Sequence, residues 1–287
     1  MEVELVIEVE LDVFSGTPNP RWVLTALEGE ELTQRLLDGS ETPIPIGFEE
    51  PRLGYRGFIV RSTGVHADVL EKSGRPTTFR LRQAMVGAAA DAERSLLQTN
   101  LDSALSPTES RLVSEAVMSE LDLSTGEQSS AVAAAAASVC SLLYTSWNDF
   151  SFWNGTRRND NNCYNYASNY ASNTFAQPGL KGGSVFSALT VASIKAAMRR
   201  DGWIDDCNTS NLKVALVIWP GLDFHFYRKN LNSAGTARWC HKPGHTPARN
   251  TDNSGAYITS PQTCDRGGYT TWGGVMYSDG VRSRVVR

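Results

Sequence analysis

The chain has 287 residues, enough for one large or two ordinary domains, and 41% hydrophobic residues, the content of a globular protein. Its 27 basic and 31 acidic side chains leave a net charge of −4, which excludes a nucleic acid or a membrane surface as an expected partner on electrostatic grounds. The first residues are acidic where a signal peptide has a basic and then an apolar region, and no apolar run has the length of a membrane span, so the sequence predicts a cytoplasmic protein.

Residues 1–15 alternate Val3, Leu5, Ile7, Val9, Leu11 and Val13 with Glu4, Glu8, Glu10 and Asp12, the period of a half-buried strand. Ser15 to Pro20 is a turn cluster, and Trp22-Val23-Leu24 reads as a returning strand. An amphipathic helix is predicted over 30–37, preceded by Gly29 and stopped by Asp38-Gly39. Strands follow at 55–60 and 78–81, and helices at 88–98 and 109–121. This makes a small α+β unit over 1–122 with no constellation of catalytic residue types; its single histidine, His66, reads as structural or as a surface residue. A polar break and an alanine run, together 123–146, read as a linker and a closely packed helix, because alanine is the best helix former.

From 147 onward aromatics and asparagines are dense. Cys163 sits in Asn161-Asn162-Cys163-Tyr164-Asn165-Tyr166-Ala167, with capping asparagines before it and a helix predicted after it, ending ahead of Pro178-Gly179. A second helix is predicted over 187–200, with Leu189, Ala192, Ala196 and Ala197 inward. The apolar run 214–219 reads as a buried strand, Pro220 to Asp223 as a turn, 224–228 as the next strand, and 238–241 as a third that closes a hairpin. On the second strand His225 alternates with Phe224 and Phe226 and so points to the opposite face; Tyr227 reads as a packing aromatic and Arg228 as a solvated charge. The pairs Gly182-Gly183, Gly267-Gly268 and Gly273-Gly274 read as turns, and Asn250, Asp252 and Asn253 as a polar turn without the spacing of a calcium loop.

A cysteine opening a helix, followed downstream by a histidine on a strand, is the order of residues used by thiol hydrolases. The helix N-terminus is expected to favour the Cys163 thiolate, and His225 to serve as general base. Five cysteines are present; in a cytoplasmic protein most stay reduced, and in a secreted one Cys207–Cys264 or Cys240–Cys264 are the candidate bridges. The sequons at Asn154 and Asn208 matter only on a secretory route.

The region 147–287 resembles the NlpC/P60 and CHAP group of papain-like cysteine hydrolases, through the nucleophile segment 161–167 and Phe224-His225-Phe226-Tyr227 at the start of a strand. The resemblance implies an α+β fold: an N-terminal α+β domain, then a papain-like domain whose cysteine-bearing helix packs on an antiparallel sheet. It implies Cys163 as nucleophile, His225 as base and His241, on the next strand, as the residue orienting His225, with Asn250 as the fallback third member. The oxyanion is expected at the Cys163 N–H and a second donor, Asn162 or Asn165. The reaction implied is cleavage of an amide in a peptide or related substrate through an acyl-enzyme, without cofactor or metal; transfer of the acyl group to an amine would use the same pair. Tyr164 and the long segments 242–255 and 256–287 depart from the group's usual pattern. Two rival readings use the same residues. Cys240, His241 and His245 could hold a structural zinc, or the aromatic-rich half could be a non-catalytic module for a peptide or glycan with Cys163 inert.

Overall fold

The computed structural model describes residues 6–47, 52–82, 91–122, 142, 145–146, 149–207, 211–279 and 284–287. The alanine run, Cys140 and the Asn208 sequon, on which the linker, disulfide and glycosylation readings partly fell, lie outside the described residues. The fold is mixed α and β with antiparallel sheets. The chain divides into two compact units, one of residues 1–13, 19–50 and 55–127, the other of 14–18, 51–54 and 128–287. Two short pieces of the N-terminal half belong to the second unit, which sequence texture did not reveal.

The first unit holds β1 (Ile7–Leu11), β2 (Arg21–Val23), α1 (Ala26–Asp38), β3 (Phe58–Ser62), α2 (Gly64–Lys72), β4 (Thr78–Leu81), α3 (Asp91–Leu97) and α4 (Pro107–Asp122). Its sheet runs β2-β1-β3-β4. Helix α1 starts four residues earlier than predicted because Thr25 and Glu28 form a reciprocal capping box, and it ends at Gly39, in the left-handed region at φ 82°. Gly29 therefore lies inside the helix, where a Cβ would meet the His66 ring at 3.2 Å. His66 is structural: its Nδ1 lies 3.1 Å from Thr33 Oγ1. Helix α2 escaped the sequence reading. The polar residues of β1 are not solvated as the alternation suggests. Glu10 is buried and pairs with Arg21 and Arg61, while buried Asp12 pairs with Arg56 at 2.6 Å and Arg80 at 2.9 Å.

The second unit holds α5 (Ser151–Asn154), α6 (Cys163–Ser168), α7 (Val191–Arg200), β5 (Trp203–Ile204), β6 (Lys213–Trp219), β7 (Asp223–Leu231), β8 (Ala237–His241) and β9 (Thr271–Ser278). The sheet order is β5-β9-β6-β7-β8. Strand β9 was missed because Gly273-Gly274 mimics a turn. Gly273 is needed for close approach, since a Cβ there would meet Leu216 Cγ at 2.6 Å, and a register shift on β6 between Leu216 and Val217 accommodates the pair. A tight turn, with Gly221 at φ 74°, joins β6 to β7 in the register Val217↔His225.

One core cluster joins Cys163, Tyr164, Ala167, Ile194, Met198, Trp203, Phe224 and Phe226. It contains the even-numbered side chains of early β7 together with those of α6 and α7. Arg228, read as a solvated charge, is buried instead: its guanidinium donates to Tyr166 O, Asn169 Oδ1 and Asn230 Oδ1 and lies over the Tyr166 ring. No described helix is long and apolar enough to cross a membrane.

Candidate active site

The segment before Cys163 is held by side chains chosen for main-chain bonding. Asn162 caps α6: its Oδ1 accepts the N–H groups of Tyr164 and Asn165 at 3.0 and 3.1 Å, and Asn165 Oδ1 accepts the Asn162 N–H at 3.0 Å. Buried Lys242 donates from Nζ to the carbonyls of Arg158, Asn161 and Gly244. It thereby fixes the turn 158–161 that delivers the chain to Cys163. Helix α6 is shorter than predicted because Asn169 takes the left-handed conformation at φ 52° and donates its N–H back to Tyr166 O.

Cys163 is the first residue of α6 and wholly buried. Its Sγ lies 3.9 Å from Phe224 O, against the main chain of the residue that precedes His225. The expected lowering of its thiol pKa is not what the environment produces. Burial pushes it well above the usual range and the Asp223 charge adds to this, against the Phe226 N–H and the Lys242 charge. A six-residue helix supplies too little dipole to offset complete desolvation. The resting side chain is a neutral thiol.

His225 points to the face of β7 opposite Phe224 and Phe226, as its alternation predicts. There its Nε2 lies 2.9 Å from His241 Nδ1, and His241 Nε2 lies 3.0 Å from Thr251 O. Tyr227 stacks on His241 at 4.9 Å with 12° between the planes, and His225 meets Tyr227 and Tyr269 edge-on. His225 and His241 thus lie within hydrogen-bond distance, so the place for which Asn250 was the fallback is occupied by His241.

The tautomers follow from Thr251. A carbonyl only accepts, so His241 carries its proton on Nε2. Arg249 Nε also approaches that nitrogen, at 3.3 Å, and the two contacts call for opposite roles. The shorter one, to an obligate acceptor, decides, since two lone pairs facing each other at 3.0 Å would repel. Burial and the Arg249 charge hold the His241 pKa well below the ordinary value, so His241 is neutral and its Nδ1 accepts. His225 then donates from Nε2, and in its neutral form the lone pair lies on Nδ1.

Asp223 opens β7 and is also buried. It accepts from Tyr269 Oη at 2.6 Å, from the N–H groups of Ser15, Gly16 and Thr17, and from Thr17 Oγ1. Burial raises its carboxyl pKa, and these donors oppose the rise. Sequence reasoning placed Asp223 in a turn and residues 15–17 in another, and had no signal that would join them.

The remaining candidates separate. Asn165 Nδ2 is taken up by Tyr170 O and Ser172 Oγ, which removes it as an oxyanion donor. Asn162 Nδ2 donates to Gly16 O and Ala176 O. The zinc reading fails on direction. Cys240 packs with Trp153, Tyr166 and Ala248, His241 faces His225, and His245 stacks on Phe175 with its Nδ1 at 2.7 Å from Asn159 O. Cys163, Cys240 and Cys264 are free thiols, whereas Cys207 is disulfide-bonded. Both candidate bridges to Cys264 are thereby corrected.

No protein-family profile matches the chain, and no solved structure matches it. A protein of Ruditapes philippinarum, insoluble matrix shell protein 1, is 44% identical over 155 residues, covering 52% of this chain and 98% of that relative. With that identity over nearly the whole of the relative, the chain belongs to the family of insoluble matrix shell protein 1.

Proposed function

We propose that the protein is a thiol-dependent amide hydrolase of papain-like type, with Cys163 as nucleophile, His225 as general base and His241 as its orienting partner. The observation that carries this reading is the directed chain His225–His241–Thr251 O, which leaves the His225 lone pair on Nδ1, on the strand whose main chain touches the Cys163 sulfur. Cys163 packs on the Phe224 face of β7 and His225 lies on the other face, so the first step needs a bridging water. The Cys163 S–H bond breaks, its proton is relayed to His225 Nδ1, and Sγ bonds to the substrate carbonyl carbon. The Cys163 N–H faces the oxyanion. The tetrahedral adduct expels the amine, which takes the proton from Nδ1, and a thioester remains. Water then adds to the thioester, giving a proton to His225, and the acid leaves as the proton returns to sulfur. The imidazolium formed in each half donates from Nε2 to neutral His241. An amine in place of water would make the same site an acyl transferase.

The Cys207 disulfide, together with a relative named as a shell matrix protein, supports an oxidising, extracytoplasmic location over the cytoplasmic expectation. A second reading is favoured by the same relative and by the buried neutral thiol: a matrix component that binds a peptide or glycan, with Cys163 inert.

Assays of amide hydrolysis and of ligand retention on Cys163→Ala and His225→Ala separate the two. The hydrolase reading expects Cys163→Ala to abolish turnover with the fold intact, and His225→Ala to lower it by about 10²–10⁴-fold. Turnover by Cys163→Ala near the wild-type rate refutes it.

A further inference from the structure

Resting on the hydrolase reading, we propose that the groove beside Cys163 reads the main chain of a peptide with glycine just after the scissile carbonyl, and that Ser15-Gly16-Thr17 lies in this groove as an internal substrate mimic. Residues 14–18 belong to the second unit although they lie between β1 and β2 in sequence. Their main-chain polar groups are gripped as a bound peptide's would be. The N–H groups of Ser15, Gly16 and Thr17 donate to Asp223 at 2.5, 3.1 and 2.8 Å. Ser15 O accepts the Cys163 N–H at 3.4 Å. Gly16 O accepts from Asn162 Nδ2 at 2.8 Å and Gln177 Nε2 at 2.9 Å.

The position of Ser15 O decides the register. The Cys163 N–H is the group that would face an oxyanion, so the carbonyl resting on it marks where a scissile carbonyl would sit. Gly16 then occupies the leaving-amine side. Side-chain discrimination is sharpest there: a Cβ on Gly16 would meet Phe224 O at 2.5 Å, inside van der Waals contact. The polar contacts of Ser15 and Gly16 are to their main chain, while the buried Phe14 and Ser15 side chains and the Thr17 Oγ1 bond to Asp223 restrict the neighbouring positions by size and polarity. Asp223, Gln177 and Phe224 are the specificity determinants, and the occupied groove accounts for the complete burial of a thiol proposed as a nucleophile.

The test is the rate at which iodoacetamide modifies Cys163, located by peptide mapping because Cys240 and Cys264 are also free thiols. Wild type is expected to react slowly and Gly16→Val at least ten times faster, because the branched side chain expels the strap. Added acetyl-Phe-Ser-Gly-Thr-Pro-amide is expected to restore slow labelling of Gly16→Val, and the same peptide with valine for glycine is expected to have no effect. Gln177→Leu, which removes one donor without adding bulk, is expected to label several-fold faster than wild type and serves if Gly16→Val fails to fold. Unchanged labelling in a folded variant, or equal effects of the two peptides, overturns the proposal. Labelling needs no turnover. Protection by the glycine peptide without its cleavage would refute the hydrolase and leave the groove, whereas hydrolysis of other amides without protection would do the reverse.

Discussion

Replacing His241 should change how stability depends on pH, and the size of the change follows from its surroundings. His241 is fully buried against His225, Tyr227 and Arg249, and it is held neutral, well below the ordinary imidazole value of 6.5. A depressed folded-state pKa means that the unfolded chain takes up the proton first as pH falls. The contribution is therefore present above pH 6.5 and is lost as the pH falls from there toward the folded value. At pH 5, roughly 1.5 units below the unfolded value, the penalty is at most about 2 kcal/mol. His241→Gln removes it. The glutamine carbonyl can accept from His225 Nε2–H and its amide can donate to Thr251 O, so at pH 7 this variant should lose only about 1 kcal/mol. His241→Ala leaves both partners buried and unmet, and should lose about 3–5 kcal/mol. Urea unfolding at pH 7 and pH 5 measures all three proteins. Wild type should lose more than His241→Gln between the two pH values, by up to about 2 kcal/mol. Equal losses would show that His241 is not a buried neutral imidazole, and the tautomer assignment would fall with it.

Two further predictions concern the scaffold of the site. Asn162→Ala removes the acceptor for two α6 N–H groups and the donor to Gly16 O and Ala176 O, and should lower stability by about 2–3 kcal/mol in denaturant titration; a loss under about 0.5 kcal/mol would remove its capping role. Lys242→Met keeps the stem and deletes the ammonium that gathers three carbonyls, and should lower the thermal midpoint by several degrees, with faster amide exchange over 158–163; unaltered exchange there would show that the turn holds without it.

The parts of the fold that follow from local periodicity were readable in the chain. The strand 78–81 was predicted with its final bounds, and the β6–β7–β8 hairpins came from apolar runs divided by turn residues. The nearness of His225 to His241 was readable in outline because strand alternation puts both on one face and the hairpin brings His241 opposite Tyr227, two residues from His225. What depends on distant partners was not. Glu10 and Asp12 are indistinguishable in sequence from solvated carboxylates until Arg21, Arg61, Arg56 and Arg80 meet them. The direction of the Cys163 shift reverses because desolvation, a property of the assembled core, exceeds the local helix field. Asp223 and the 15–17 strap lie about two hundred positions apart, and no pattern within either segment announces the other.

Strand β9 carries a consequence for how the second unit is made. It pairs with β6 on one side and β5 on the other, yet it comes last among the strands in chain order. On a ribosome the hairpins of β6, β7 and β8 emerge first, and β6 must wait with one ladder of N–H and C=O groups unpaired until residue 278 is free. Closure of the sheet is then a late, long-range event, the kind of contact that slows folding and leaves an edge open to intermolecular pairing. A chain cut ahead of Thr271 should therefore aggregate rather than yield a smaller folded unit, and the first unit, whose sheet is complete by Leu81, should be free of that hazard.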